Sequence, residues 1–198
     1  SAFVNAELPS GTRMTDAQIL MHVMLDLFMA GGETTSKALA SGILMICRDP
    51  DLQDRLAAEP DRYLKGFAEE VLRLEGPAAG LYRAAKRDID LHGTRIPKGA
   101  LVSLRVAAAN RDASQFSEPA TIDPERGNTA THLSFGSGAH ACLGSYLARR
   151  ELYWGFKAFV DRIDDFWLAP DKNKLRHQPN FCLRALQELH IEFTPKKH

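Results

Sequence analysis

The chain has 198 residues, enough for one domain with a real core, and its 25 basic residues balance 25 acidic ones. That balance leaves no basic footprint for nucleic acid, and the longest apolar run, inside Ile19–Met29, is broken by His22 and Asp26 and is too short to span a membrane. No signal peptide is read at its start, and three widely spaced cysteines without a CxxC pair fit neither a disulfide framework nor a zinc site, so a cytoplasmic, reducing compartment is expected.

Ser1–Arg13 reads as a loop. Thr15 and Gln18 have the spacing of a capping box, Met14 and Ile19 that of a hydrophobic staple, and no proline interrupts before Asp49-Pro50. A helix over Thr15–Arg48 would be roughly 50 Å long at about 1.5 Å per residue. It is apolar on most sides (Leu20, Met24, Leu27, Phe28, Leu39, Ile43), which suits the middle of a larger fold, where something covers its other side. Its centre, Ala30-Gly31-Gly32-Glu33-Thr34-Thr35, breaks the pattern: two mid-helix glycines cost about 1 kcal/mol each relative to alanine. With Glu33 and Thr34 they predict an opened turn that something approaches closely; the blander reading is a kink with Glu33 in solvent.

Asp51–Ala58 and Asp61–Leu74 read as helices. Glu70 and Arg73 are helical neighbours, and on pattern alone they would be an exposed pair worth about 0.3–0.5 kcal/mol. Strand-like pieces follow over Ala79–Asp90 and Ala100–Val106, then a long irregular segment from Asn110 to Ser134. Phe135–Gly144 holds three glycines and Cys142 in ten residues. Glycine permits positive φ and leaves the backbone bare, so a large flat ligand could lie against it. Cys142 stands just before a helix, whose positive dipole end suits an anionic sulfur, as an iron or electrophile ligand needs. The alternative is a glycine turn around a buried structural thiol. The helix runs to about Arg162 on the pattern Leu143, Tyr146, Leu147, Trp154, Phe156, Phe159 and Val160, with its aromatic residues read as core. Phe181–Leu186 and His190–Thr194 read as strands, and Cys47 and Cys182 as buried thiols.

The spacing Phe135-x-x-Gly138-x-x-x-Cys142-x-Gly144 resembles the haem-binding signature of the cytochrome P450 family. Ala30–Thr35 is similar to that family's oxygen-site run, with Glu33 where Asp is frequent, and Glu70-x-x-Arg73 to its helix signature; all occur in family order. The resemblance implies a mainly α fold with small β-sheets, a long central helix packed over a cysteine loop. It implies only the C-terminal part of that fold, residues 1–198 forming a partial domain without the family's N-terminal helices. A fragment, a split protein or a chain completed by oligomerisation is then expected. Cys142 would be the metal ligand of haem b; Gly31, Phe135, Gly138 and Gly144 would line the cofactor, and Arg83, His132 and His140 would hold its propionates. Glu33 and Thr34 would orient oxygen and deliver protons, Arg126 would join Glu70 and Arg73, and residues 78–82 would touch substrate. The implied function is a monooxygenase inserting one oxygen atom into a small organic substrate, with electrons from NAD(P)H through a ferredoxin-type donor. Neither nucleic acid nor a membrane is an expected partner. The alternative is a non-catalytic fragment with weak or no haem binding.

Overall fold

The structure, a computed structural model, describes residues 5–197. The capping box forms as read: the Thr15 hydroxyl accepts from the Gln18 N–H while the Gln18 side chain accepts from the Thr15 N–H. One helical run then leads from α1 (Asp16–Ile19) through a π-wound stretch, Leu20–Glu33, to α2 (Thr34–Cys47). Asp49 caps α3 (Pro50–Ala58) through the Leu52 N–H, and Pro60 opens α4 (Pro60–Glu75), each proline sitting at a first-turn position where its missing donor costs nothing.

The sequence reads the first helix as apolar on most sides, with something more needed to cover it; within this chain only its second half is packed. Between Leu20 and Glu33 no residue is buried, and Phe28 stands 64% exposed. Without a packing partner nothing holds this stretch to α geometry, and its two glycines ease the wider turn. The opened winding therefore reaches further back than the Ala30–Thr35 turn, and regular α-helix resumes at Thr34.

The core lies where α2, α4 and α6 (Ser145–Arg162) pack on one another. Ala38 and Ile46 from α2, Phe67 and Val71 from α4, and Leu152, Phe156 and Val160 from α6 are buried together, with the Phe67 and Phe156 rings edge-on at 4.9 Å. Small residues let α2 and α6 approach: a Cβ on Gly155 would lie 2.6 Å from Leu39 Cδ2, and one on Gly42 would overlap the Phe156 ring. Tyr146 and Trp154, expected in this core, are exposed, as are Leu143 and Leu147 of the same pattern.

Three two-stranded antiparallel sheets flank the helices: β1 (Leu81–Ala84) with β4 (Leu101–Leu104), β2 (Ile89–Leu91) with β3 (Thr94–Ile96), and β5 (Ile163–Leu168) with β6 (Ile191–Pro195). A short α5 (Val106–Ala109) follows β4. Phe181–Leu186, expected as a strand, is a hairpin limb held by the isolated bridges Ala78–Leu183 and His177–Leu186. Cys182 on it is exposed rather than buried, while Cys47 is half-buried and its thiol is pushed up to about 11 by that burial.

Glu70 and Arg73 form no surface pair. Both side chains are 0% exposed, and all five guanidinium donors of Arg73 are used. Nε and Nη2 hold the two Glu70 oxygens at 2.7 and 2.8 Å, Nη1 reaches the Asn110 and Pro119 carbonyls, and Nη2 also reaches that of Thr121. Arg126 joins them: its Nε lies 3.3 Å from Glu70 Oε1, at an angle that makes this a charge contact rather than a hydrogen bond, and its Nη groups donate to the Ser117 and Thr121 carbonyls. The irregular segment 110–126 is thereby nailed to α4 by its own backbone oxygens.

Candidate functional site

The stretch from Phe135 to Gly144 is a bare, tightly turned loop leading into α6. Gly136 and Gly138 adopt φ of +69° and +75°, where a side chain would be strained. The Phe135 carbonyl accepts from the Cys142 N–H at 2.8 Å and closes the loop, and Ala141 N–H returns to Gly138 O at 3.0 Å. Cys142 lies three residues before Ser145, and its side chain is exposed. A Cβ on Gly138 would meet nothing within 4 Å, and one on Gly144 would meet the Cys142 sulfur at 3.9 Å. The loop thus presents the thiol; the reading of a buried structural cysteine does not hold.

The loop is fastened from α4. Arg149 of α6 lies over the Phe135 ring at 4.6 Å and gives Nε to Glu69 at 2.6 Å. The other Glu69 oxygen meets His132 Nε2 at 3.2 Å. Burial alone would push the Glu69 carboxyl up; the hydrogen bonds from His132 and Arg149 outweigh it and hold the group below its usual range. His132 Nδ1 accepts the Ser134 N–H, which leaves Nε2 to face Glu69. Both His132 nitrogens have partners within the chain, Glu69 and the Ser134 N–H, and the side chain is buried. Ser134 adds a second tether, donating to the Leu72 carbonyl at 2.6 Å and accepting from Asn110.

The start of α2 meets α6 beyond the loop. The Thr35 hydroxyl donates to Glu151 of α6 at 3.1 Å. Glu151 is six residues beyond Ser145, so this contact lies about 9 Å up α6 from the thiol end. The Thr34 hydroxyl donates to the Ala30 carbonyl, which leaves its oxygen free to accept. Glu33 is exposed, with no bond to Thr34. A Cβ on Gly31 or Gly32 would meet nothing within 4 Å, so no other part of the described chain requires glycine at either position.

Arg83 on β1 is exposed and donates only to the Tyr82 carbonyl; neither it nor His140 has a carboxylate partner among the described residues. Both are free to meet an anion. Sequence reasoning missed Phe181. It stands 87% exposed at the hairpin tip, where Asn180 caps the Cys182 and Leu183 N–H groups and Ala79 N–H bonds the Cys182 carbonyl at 2.9 Å. The Pro179-Asn180 pair was the available turn signal. A cavity of 340 Å³ lined by Ser41, Leu44, Arg48, Glu75, His177 and Leu186 includes none of the expected site residues.

Among the described residues no group of three or more His, Cys, Asp or Glu could hold a metal ion. A metal at Cys142 would need to bring its own equatorial ligands, as a porphyrin does. The exposed thiol, the open space at Gly138, and unpaired Arg83 and His140 fit such a group.

The family model described as Cytochrome P450 matches residues 1–173. The steroid C26-monooxygenase of Mycobacterium tuberculosis (strain CDC 1551 / Oshkosh) is 34% identical over 98% of this chain and 51% of its own length. The cytochrome P450 monooxygenase PikC of Streptomyces venezuelae is 36% identical over 98% of this chain and 46% of its own. The substrate-free structure of the Mycobacterium marinum cytochrome P450 CYP150A6 superposes with a TM-score of 0.91 at 32% identity, covering 98% of this chain and 48% of that one. The chain spans about half the length of the curated relatives it matches. With a family model covering most of its residues, and with the cysteine loop and buried Glu70–Arg73 pair in place, this chain belongs to the cytochrome P450 family.

Proposed function

We propose that this chain provides the haem-thiolate part of a monooxygenase acting on a small organic substrate. The observation that carries the reading is the exposed Cys142 thiol, held by the Phe135 carbonyl on a loop whose bare glycine surface a macrocycle can approach. Cys142 would ligate the iron of haem b, with Arg83 and His140 on its propionates and Gly31 and Gly32 beneath its other face. When bound, such a group supplies oxygen activation, and a thiolate ligand favours O–O cleavage. The chain's own part is positional. Thr34, its proton engaged on Ala30, offers an acceptor lone pair, and Glu33 can exchange protons with solvent. Phe181 and residues 78–82, side by side at the hairpin tip, would meet the substrate. Electrons would arrive from NAD(P)H through a ferredoxin-type donor, in the cytoplasm; no helix among the described residues is long and apolar enough to cross a membrane.

The open apolar side of Leu20–Met29 favours a second reading, a partial domain that binds haem weakly and turns nothing over by itself. Haem titration separates the two. Stoichiometric uptake, with a thiolate-type absorbance of the reduced CO complex that Cys142→Ala abolishes, is expected. Identical spectra for both proteins would overturn the ligand assignment. Sub-stoichiometric uptake by a well-folded protein would favour the second reading.

A further inference from the structure

The contacts of Glu69 converge on the cysteine loop from both sides, and nothing else in the described chain does this. Ahead of the loop its Oε2 takes His132 Nε2 at 3.2 Å. Behind it, Arg149 gives Nε to Oε1 at 2.6 Å and Nη2 to Oε2 at 3.2 Å. The two held groups bracket one ring: the Arg149 guanidinium lies 4.6 Å and the His132 imidazole 5.7 Å from the centre of Phe135. The backbone of that same residue accepts the Cys142 N–H. The path from α4 to the thiol is therefore Glu69, two side chains, one aromatic ring and one backbone hydrogen bond.

We propose that Glu69 is a positioning residue, a carboxylate clamp that fixes Phe135 and through it the orientation in which Cys142 is offered. It works beside Glu70 and apart from it: Glu70 faces Arg73 and Arg126 in the core, while Glu69 faces the loop. The clamp is charge-assisted, since Arg149 meets the carboxylate in a forked geometry. The Ser134–Leu72 and Asn110–Leu133 bonds tether only the upstream flank. Without Glu69 the first turn of α6 therefore loses its polar tie to α4 and keeps only the packing of Phe135, Leu152 and Phe156 on the core. The proposal rests on Cys142 being the group that the loop presents, but its test uses no haem.

The test is amide hydrogen exchange together with alkylation of Cys142 by iodoacetamide, on the haem-free full chain. Glu69→Gln cannot accept from Arg149 with two anionic oxygens. It is expected to speed exchange of the Cys142 amide, and to change the Cys142 alkylation rate, by about tenfold, while the amides of α2 and the core of α4 keep their protection. Cys182, exposed and remote from the clamp, should react at an unchanged rate, and Cys47 should stay slow. Glu69→Asp, which keeps the charge, should restore most of the protection. If Glu69→Gln fails to fold, Arg149→Gln removes the same fork from the other side and is expected to loosen the loop in the same way. Unchanged Cys142 exchange, or equal acceleration of every core amide, would overturn the clamp. A haem-binding result that fails while loop protection responds as described would remove the iron-ligand reading and leave the clamp standing.

Discussion

Two neighbouring carboxylates on α4 look into two kinds of surroundings. Around Glu70 all is closed: Arg73 spends five donors on the carboxylate and three backbone carbonyls, and Asp123 N–H fills a further carboxylate site at 2.9 Å. On the loop that Glu69 reaches, and at the other positions proposed to meet the haem, the groups are left open. Cys142 is exposed, Arg83 and His140 have no carboxylate among the described residues, and a Cβ on Gly31, Gly32 or Gly138 would meet nothing within 4 Å. The difference separates stability from function in space. Groups the fold needs are saturated by the chain itself; groups the chain leaves unsatisfied are those that a ligand would satisfy.

The sharpest way to break this contrast is at Arg73. Arg73→Leu would leave a buried Glu70 with only Arg126 and one backbone donor, and would orphan the Asn110 and Pro119 carbonyls. Removing one partner of a buried pair costs about 3–5 kcal/mol, so a loss of that size in urea unfolding is expected. A loss below about 1 kcal/mol would mean that the pair behaves as a surface one.

Glycines divide along the same line. A Cβ on Gly66 would overlap the Pro124 carbonyl oxygen, so Gly66→Ala should destabilise by about 1–3 kcal/mol as the 122–126 segment is pushed off α4. Gly31→Ala and Gly32→Ala should do the reverse. With nothing within 4 Å they should stabilise the helix by up to about 1 kcal/mol each, and haem uptake should weaken. Stabilisation with undiminished uptake would show that these glycines do not serve the cofactor face.

How legible each region was follows from the range of its interactions. The capping box and the glycine–cysteine loop are local, and Thr15 and Cys142 could be read in place. The Glu70–Arg73–Arg126 cluster was found only through family resemblance, because pattern alone makes an i, i+3 ion pair an exposed one. Glu69, His132 and Arg149 meet across 63 and 80 residues, and no periodicity announces such a contact. The Glu69–His132 bond went unread for that reason: a histidine flanking a ligand loop reads as a ligand contact, and nothing local shows that both of its nitrogens have partners within the chain. Amphipathic spacing misled at Tyr146 and Trp154. It reports that a helix has an apolar side, while the neighbours present decide whether that side is covered.

The smallest effect expected is a pH signature of the clamp. Burial raises the Glu69 carboxyl, but its bonds to His132 and Arg149 pull it lower in the folded chain than the usual glutamate value of about 4.3. On acidification the unfolded chain therefore takes up the Glu69 proton first. The stability Glu69 contributes is complete above about pH 4.3 and drains away as pH falls through the lower folded value. Other depressed carboxylates, Asp88 and Asp112 among them, titrate alike in wild type and variant and cancel from the difference. The stability gap between wild type and Glu69→Gln, taken from urea midpoints, should be constant between pH 7 and 5 and close steadily below that. A gap that persists undiminished into acid would mean that the carboxylate's charge is not what holds the loop. Arg149 would then be held by packing on Phe135 alone.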